Sequence, residues 1–134
     1  MKIKYLVPFI ACFILCMSAC KKDGNAAFVA GKWNIVKTVY HNAQDTTING
    51  LATDYYDFGA NGALSIQDHQ DNMTGVYTLN GTTSVGINIY TVDGHGLGVI
   101  TPPGIFTISN LSSSNLTLTS PPYPSGQYMI YLKR

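Results

Sequence analysis

Short turn-forming stretches follow one another along this chain at intervals that leave little room for helices. Residues 59–62 read Gly-Ala-Asn-Gly, residues 80–83 read Asn-Gly-Thr-Thr, and residues 93–96 read Asp-Gly-His-Gly. Gly and Asn adopt the backbone conformations that tight hairpin turns require. The segments between these turns alternate apolar and polar residues, and none keeps a helical period over about ten residues. This spacing predicts an all-β chain of short antiparallel strands.

The composition also favours strands over helices. Glu, a strong helix former, is absent, whereas Thr, Tyr, Val and Ile, which suit strands, are frequent. Residues 26–29 are predicted to form one helical turn, residues 42–53 a polar loop and residues 68–72 a polar turn. The eight or nine predicted strands lie at residues 32–40, 53–58, 63–67, 73–79, 84–92, 97–100, 105–109, 116–119 and 127–134.

An open antiparallel sheet of this size has two unpaired edges, and closure into a barrel removes both. We therefore predict a small antiparallel up-and-down β-barrel of about eight strands. Such a barrel is either filled by its own side chains or holds one small ligand. The side chains predicted to face inward, where they would line a ligand cavity, are Trp33, Ile35, Phe58, Leu64, Tyr77, Leu79, Ile87, Ile89, Phe106, Ile108, Leu118, Ile130 and Leu132.

The first twenty residues have the order of parts of a bacterial lipoprotein signal. Lys2 and Lys4 precede an apolar run over residues 5–17, which is shorter than the roughly 20 residues that span a bilayer. A charged start followed by a short apolar run and small residues is typical of a cleaved export signal. Residues 15–20, Leu-Cys-Met-Ser-Ala-Cys, resemble a lipobox. We expect residues 1–19 to be removed and Cys20 to carry acyl chains such as palmitate.

Lipidation of Cys20 would set both the location and the chemistry of the domain that follows. The other cysteines lie within the signal, so this domain has no thiol for a disulfide or for catalysis. Residues 20–27 are predicted to be the lipidated Cys and its tether, and residues 28–134 the barrel domain. Residues 21–25 resemble in part the surface-export signal of Bacteroidota lipoproteins. The expected location is the outer membrane, either on its periplasmic face or at the cell surface.

The beginning and the end of the barrel domain resemble those of lipocalins. Residues 31–33, Gly-Lys-Trp, match the Gly-x-Trp of the first lipocalin strand, and residues 131–134 resemble the ending of small lipocalin-like lipoproteins of the Bacteroidota. The resemblance extends over residues 28–134. It implies that Trp33 plugs one end of the barrel and that a late basic residue, Lys133 or Arg134, packs across it. It further implies a carrier of a small apolar ligand.

No arrangement of residue types in the sequence points to catalysis. Asp54 and Asp57 are both acids, but residues three apart in a strand point to opposite faces. His69 lies in the Asp-His-Gln-Asp stretch of residues 68–71, yet a zinc site needs three or four convergent ligands and no paired Cys/His spacing is present. A polar turn is therefore the preferred interpretation of that stretch. We predict a protein that is not an enzyme and that uses neither a metal nor a cofactor.

Charge and pattern leave two functional classes open. Removing Lys2 and Lys4 from the eight basic residues leaves six against seven acids, so the mature chain has no basic surface suited to nucleic acid. The first class is a membrane-anchored, non-catalytic binder of a small apolar ligand. The alternative is an envelope module with a packed barrel that acts through its outer face and loops on a protein or glycan partner, for example as an inhibitor.

Overall fold

The computed structural model describes residues 26–93 and 104–134. Within these ranges one helical turn precedes nine strands, and every strand pairing is antiparallel. The elements in chain order are α1 (Ala26–Val29), β1 (Gly31–His41), β2 (Thr46–Asn49), β3 (Tyr55–Phe58), β4 (Ala63–Asp68), β5 (Asp71–Asn80), β6 (Ser84–Asp93), β7 (Gly104–Leu111), β8 (Asn115–Thr119) and β9 (Gln127–Lys133).

Eight of these strands close into a barrel. The order β1-β3-β4-β5-β6-β7-β8-β9 follows the chain, and β9 pairs with β1 to complete the ring. This closure places Asn34 opposite Lys133 and His41 opposite Gln127. Strands that are neighbours in sequence are therefore neighbours in space, as the succession of hairpin turns requires. The predicted all-β, up-and-down barrel of about eight strands is confirmed.

The ninth strand is one that the sequence analysis missed. The prediction of a loop over residues 42–53 is wrong in part, because Thr46–Asn49 form β2 and pair with the second half of β1. β-Branched residues dominate this strand and favour the extended conformation. The chain then runs close beside β1 at Gly50, where an added Cβ would lie 2.1 Å from the carbonyl oxygen of Ile35. Beyond this glycine, β3 continues along the same edge of β1.

Two further boundaries differ from the predicted ones. β3 begins at Tyr55 instead of residue 53, because residues 51–54 form a turn closed by a backbone hydrogen bond. The turn predicted over residues 68–72 is tighter, since β4 ends at Asp68, β5 begins at Asp71, and these two residues face each other. Two residues alone connect the strands at this hairpin.

Some predictions fall outside the described residues. These are the signal at residues 1–19, the lipidated Cys20 with its tether to residue 25, and the short strand at residues 97–100. The helical turn predicted at residues 26–29 is present as α1. No helix in the described part of the chain is long and apolar enough to cross a membrane.

The barrel has two ends, which we name the Trp33 end and the His69 end after a residue at each. At the Trp33 end the Trp33 indole is fully buried, and its Nε1 donates a hydrogen bond of 2.7 Å to the Val29 carbonyl oxygen. The Arg134 guanidinium carbon lies 4.0 Å from the centre of the Trp33 ring, and Arg134 also donates to the Ala30 carbonyl. Of the two late basic residues, Arg134 is therefore the one that covers Trp33.

The core occupies the inside of the barrel. Alternation along each strand turns every second side chain inward, and the inward side chains of the eight strands meet along the barrel axis. Sixteen apolar side chains are buried in this core: Val29, Trp33, Ile35, Tyr56, Phe58, Leu64, Ile66, Met73, Val85, Ile87, Phe106, Leu116, Leu118, Tyr128, Ile130 and Leu132.

Candidate functional site

The thirteen side chains predicted to line a cavity all belong to the barrel core or pack against it. Nine are buried, namely Trp33, Ile35, Phe58, Leu64, Ile87, Phe106, Leu118, Ile130 and Leu132. Four are partly buried and pack against the core, namely Tyr77, Leu79, Ile89 and Ile108. Polar groups that are suited to recognition lie instead in two clusters, one of tyrosines and one of Asp and His side chains.

The first cluster surrounds the ring of Tyr128 on β9. Its ring centre lies 5.7 Å from that of Tyr40, 6.3 Å from that of Tyr123 and 5.9 Å from that of Phe106. Tyr128 is 5 % exposed, and its hydroxyl is buried without a hydrogen-bond partner. We call Tyr40, Tyr56, Tyr123 and Tyr128 the tyrosine cluster.

Local structure fixes the position of Tyr128. The β1–β9 register places it directly opposite Tyr40. The Tyr128 backbone N–H donates to the Ser120 hydroxyl at 3.0 Å, and the Ser120 N–H donates to the Tyr128 carbonyl at 2.9 Å. The Gln127 side-chain amide donates to the Ser120 carbonyl at 2.7 Å. A turn in which Tyr123 pairs with Gly126 then brings the Tyr123 ring over Tyr128.

Burial keeps the tyrosine hydroxyls protonated. Desolvation, with smaller contributions from Tyr56, Tyr123 and Tyr40, raises the pKa of Tyr128 well above its ordinary value. Desolvation and the negative charge of Asp68 raise the pKa of Tyr40 to about 12. At neutral pH both hydroxyls can therefore donate as well as accept a hydrogen bond. A buried hydroxyl without a partner costs about 1–3 kcal/mol, so Tyr128 favours any bound group that pairs with it.

The second cluster consists of Asp54, Asp68 and His69, which we call the Asp–His cluster. The His69 Nδ1 lies 2.8 Å from Asp68 Oδ1 and 3.3 Å from Asp54 Oδ2. One oxygen of each carboxylate and one His69 ring nitrogen all lie within 4.8 Å of one another. Asp54 is fully buried, Asp68 is 5 % exposed, and the His69 side chain is 25 % exposed. These three residues are the group in the described part of the chain that could hold a metal ion.

Hydrogen bonds from the backbone fix the Asp54 carboxylate. The Leu51 N–H donates to its Oδ2 at 2.8 Å, and the His69 N–H donates to its Oδ1 at 3.0 Å. His69 occupies the left-handed region with φ of 57°, which a two-residue hairpin turn requires. The Gln67 side-chain amide donates to the His69 carbonyl at 2.9 Å. Asp54 thus joins the turn before β3 to the β4–β5 turn.

The Asp–His cluster is electrostatically coupled to the tyrosine cluster. The hydrogen bond to Asp68 is the main cause that raises the pKa of His69, and desolvation opposes it. The charges of Asp54, Asp68 and Asp71 act in the same direction as the hydrogen bond. Asp68 also raises the pKa of Tyr40, so the two clusters are neighbours at one end of the barrel.

Two open grooves lie on the outside of the barrel. One, of about 380 Å³, is lined by Val76, Thr78, Asn88 and Ile105 among others. The second, of about 300 Å³, runs over β3, β4 and β5 and includes Asp57. Neither groove includes a residue of the tyrosine cluster or of the Asp–His cluster.

Parts of these clusters are visible in the sequence, but their assembly is not. Tyr128 shares its face with Ile130 and Leu132, and that alternation was visible. His69 was considered with its neighbours in sequence, whereas its second carboxylate comes from Asp54, fifteen residues earlier. The sequence signal that could have predicted this contact is the β3–β4 hairpin. Its antiparallel pairing places Asp54, just before β3, beside His69, just after β4.

Comparison with known proteins adds no assignment. No protein-family model, curated protein or solved structure matched this chain. The fold and the clusters therefore define the class to which the protein belongs, which is that of small closed antiparallel β-barrels with polar groups grouped at one end.

Proposed function

We propose that this protein is a lipid-anchored, non-catalytic binding protein whose barrel takes a small, mainly apolar ligand at the His69 end. The observation that carries this proposal is the Tyr128 hydroxyl, which is buried among aromatic rings without a hydrogen-bond partner. A ligand with one hydrogen-bonding group among apolar atoms matches such a site, since small-molecule sites are mainly apolar with a few placed polar groups.

The two ends of the barrel favour entry at the His69 end. The Trp33 end is covered by the Arg134 guanidinium and by the hydrogen bond between Trp33 and Val29. The His69 end carries the tyrosine cluster, whose rings offer faces for stacking and hydroxyls for hydrogen bonds. A ligand that entered there would pair with Tyr128 and contact the rings of Tyr40 and Tyr123.

Native mass spectrometry of the protein purified from its own envelope tests the proposal. We expect a co-purifying molecule of defined mass with the parent protein, and about three- to tenfold weaker retention in Tyr128→Phe because one hydrogen bond is lost. Tyr90→Phe, at a side chain that is 64 % exposed, is the matched control and should retain the molecule. A parent protein without any bound molecule would contradict a carrier function.

The anchor is a separate part of the proposal. Residues 1–19 act as a cleaved signal and Cys20 carries the acyl chains, which hold the barrel at the outer membrane. The ten residues that follow Cys20, up to Ala30, reach at most roughly 35 Å, so the ligand is met at the membrane surface. We expect the parent protein to partition with membranes and Cys20→Ala to lose that partition. Unchanged membrane association of Cys20→Ala would exclude the anchor.

A packed envelope module is the second candidate. It is favoured by the sixteen apolar side chains that are buried in the core and by the exposed apolar side chains of Tyr90 and Ile105 on β6 and β7. Such a module would act on a protein or glycan partner through β6 and β7. A bare protein mass, together with a partner captured by the parent and lost on Tyr90→Ser, would favour it.

A further inference from the structure

The Asp–His cluster brings together three donor atoms of the kinds that transition metals bind. It combines one imidazole nitrogen with two carboxylate oxygens, and these atoms lie within 4.8 Å of one another. The donors come from two chain segments. Asp54 directly precedes β3, whereas Asp68 is the last residue of β4 and His69 follows it. This convergence of three ligands is what the sequence pattern alone did not show.

The distances in the cluster suit a shared ion. Adjacent ligands that bind one ion at about 2.0–2.2 Å are about 2.8–3.1 Å apart when the coordination is octahedral and about 3.3–3.6 Å apart when it is tetrahedral. The His69 Nδ1 lies 3.3 Å from Asp54 Oδ2 and 2.8 Å from Asp68 Oδ1. The Asp54 and Asp68 oxygens lie within 4.8 Å of each other, and the two carboxylates would draw together as they bind one ion.

The protein scaffold already orients the ligands. Asp54 accepts hydrogen bonds from the N–H groups of Leu51 (at Oδ2) and His69 (at Oδ1), which fix its carboxylate with Oδ2 3.3 Å from the His69 Nδ1. The Gln67 side chain holds the carbonyl of His69. Supporting hydrogen bonds of this kind orient metal ligands and typically change metal affinity about 10- to 100-fold.

The charges also match a divalent ion. Two aspartates contribute two negative charges, a neutral imidazole contributes none, and a divalent cation brings the total to zero. Buried ionised groups are favourable when they are paired or when they coordinate a metal. One nitrogen and two oxygens favour a first-row transition ion over Ca²⁺, which takes six to eight oxygen ligands.

We propose that Asp54, Asp68 and His69 form a binding site for one divalent first-row transition-metal ion at the His69 end of the barrel. Zn²⁺ is the probe, and water completes the coordination of the ion. The site is independent of the ligand proposed for the tyrosine cluster. The proposal gives Asp68 and His69 a metal-binding role, whereas the sequence pattern predicts an ordinary polar turn without a metal there.

Titration calorimetry with Zn²⁺, after chelator treatment of the full-length protein in detergent, tests the site. We expect one equivalent of Zn²⁺ to bind the parent protein and at least about 100-fold weaker binding by His69→Gln, because one of three ligands is lost. His41→Gln is the matched control, since His41 also contacts a carboxylate, Asp45, at 3.1 Å but belongs to no three-ligand group in the described chain. It should bind as the parent does.

Asp68→Asn provides a second variant that keeps the side-chain shape. It should weaken Zn²⁺ binding as His69→Gln does, and circular dichroism without metal checks that both variants retain the barrel. A variant that loses the barrel is replaced by the other one for the comparison. Absence of Zn²⁺ binding by the parent, or equal loss in His41→Gln and His69→Gln, would overturn the site.

Discussion

Arg134 and Trp33 join the two strands that close the barrel. The guanidinium carbon of Arg134 lies 4.0 Å from the centre of the Trp33 ring, and Arg134 Nη2 also donates to the carbonyls of Val29 and Ala30. β1 and β9 meet at the barrel seam, so these contacts connect elements about one hundred residues apart along the chain. A contact of this sequence separation forms only in the closed barrel.

Replacing Arg134 with Ala should destabilise the closed barrel. The change removes a cation–π contact on a partly solvated surface, worth about 1 kcal/mol, and leaves two carbonyl groups to be solvated by water. Urea unfolding followed by circular dichroism and by the fluorescence of Trp33, the sole Trp of the chain, measures the loss. Lys133→Ala is the control, because Leu132 is buried and alternation along β9 turns the Lys133 side chain to the outside of the barrel. An equal loss in both variants would refute a specific role for Arg134.

Replacing Gly75 with Ala should distort the β5–β6 ladder. An added Cβ would lie 2.0 Å from the Asn88 carbonyl oxygen, at a bulge where Tyr90 is the extra residue of β6. The backbone must therefore shift, and crowding of this kind costs about 1–3 kcal/mol or more. Equilibrium unfolding in urea measures this cost as a lower midpoint.

Gly86→Ala is the matched control for that change, on the facing strand. The nearest atom to its added Cβ is the Thr78 carbonyl oxygen at 3.7 Å, which is an ordinary van der Waals contact. Ala also restricts the unfolded chain more than Gly does, by about 0.5–1 kcal/mol. We expect Gly86→Ala to equal or exceed the stability of the parent, and a loss like that of Gly75→Ala would contradict the steric explanation.

The fold was predictable because its signals are local. Alternation of apolar residues between glycine-containing turns marks each hairpin, and a chain of hairpins leads to the barrel. β2 was missed because Thr46–Asn49 is only four residues long and its pairing with β1 depends on the close approach of Gly50 to Ile35. That approach depends on how closely two backbones can pack, which no sequence period records.

The candidate site was less predictable because it is assembled from distant residues. The inward face of Tyr128 follows from alternation, but the absence of a partner for its hydroxyl depends on every neighbouring side chain. The Asp–His cluster depends on the hydrogen bond from the His69 N–H to Asp54, which joins two turns. Residue type and spacing identified His69 as a candidate, whereas its full ligand set required the strand pairing.

Replacing Tyr128 with Phe should stabilise the ligand-free protein. The substitution removes a buried hydroxyl that has no hydrogen-bond partner and keeps the ring that packs on Tyr40 and Phe106. Relief of an unsatisfied buried group is worth about 1–3 kcal/mol, so the urea midpoint should rise. Tyr90→Phe should leave the midpoint unchanged, because the Tyr90 ring is largely exposed. A lower midpoint for Tyr128→Phe would show that the hydroxyl has a stabilising partner.

Alkaline pH should destabilise this barrel because its buried tyrosines lose their phenol protons more easily in the unfolded chain. Tyr40 should account for a measurable part of this loss of stability. The pKa of Tyr40 is raised from 10.0 to about 12 by burial and by the charge of Asp68, so the folded state binds the phenol proton more tightly than the unfolded state does. Its contribution to stability is therefore complete below pH 10 and is lost as the pH rises through about 12.

Urea unfolding of the parent and of Tyr40→Phe at several pH values between 10 and 12 tests this linkage. A phenylalanine ring cannot ionise, so the free energy of unfolding of Tyr40→Phe should fall less steeply with pH than that of the parent. The difference in slope should correspond to at most one bound proton. Tyr90→Phe serves as the exposed control and should follow the parent. The same slope in Tyr40→Phe and in the parent would show that Tyr40 ionises as easily in the folded barrel as in the unfolded chain.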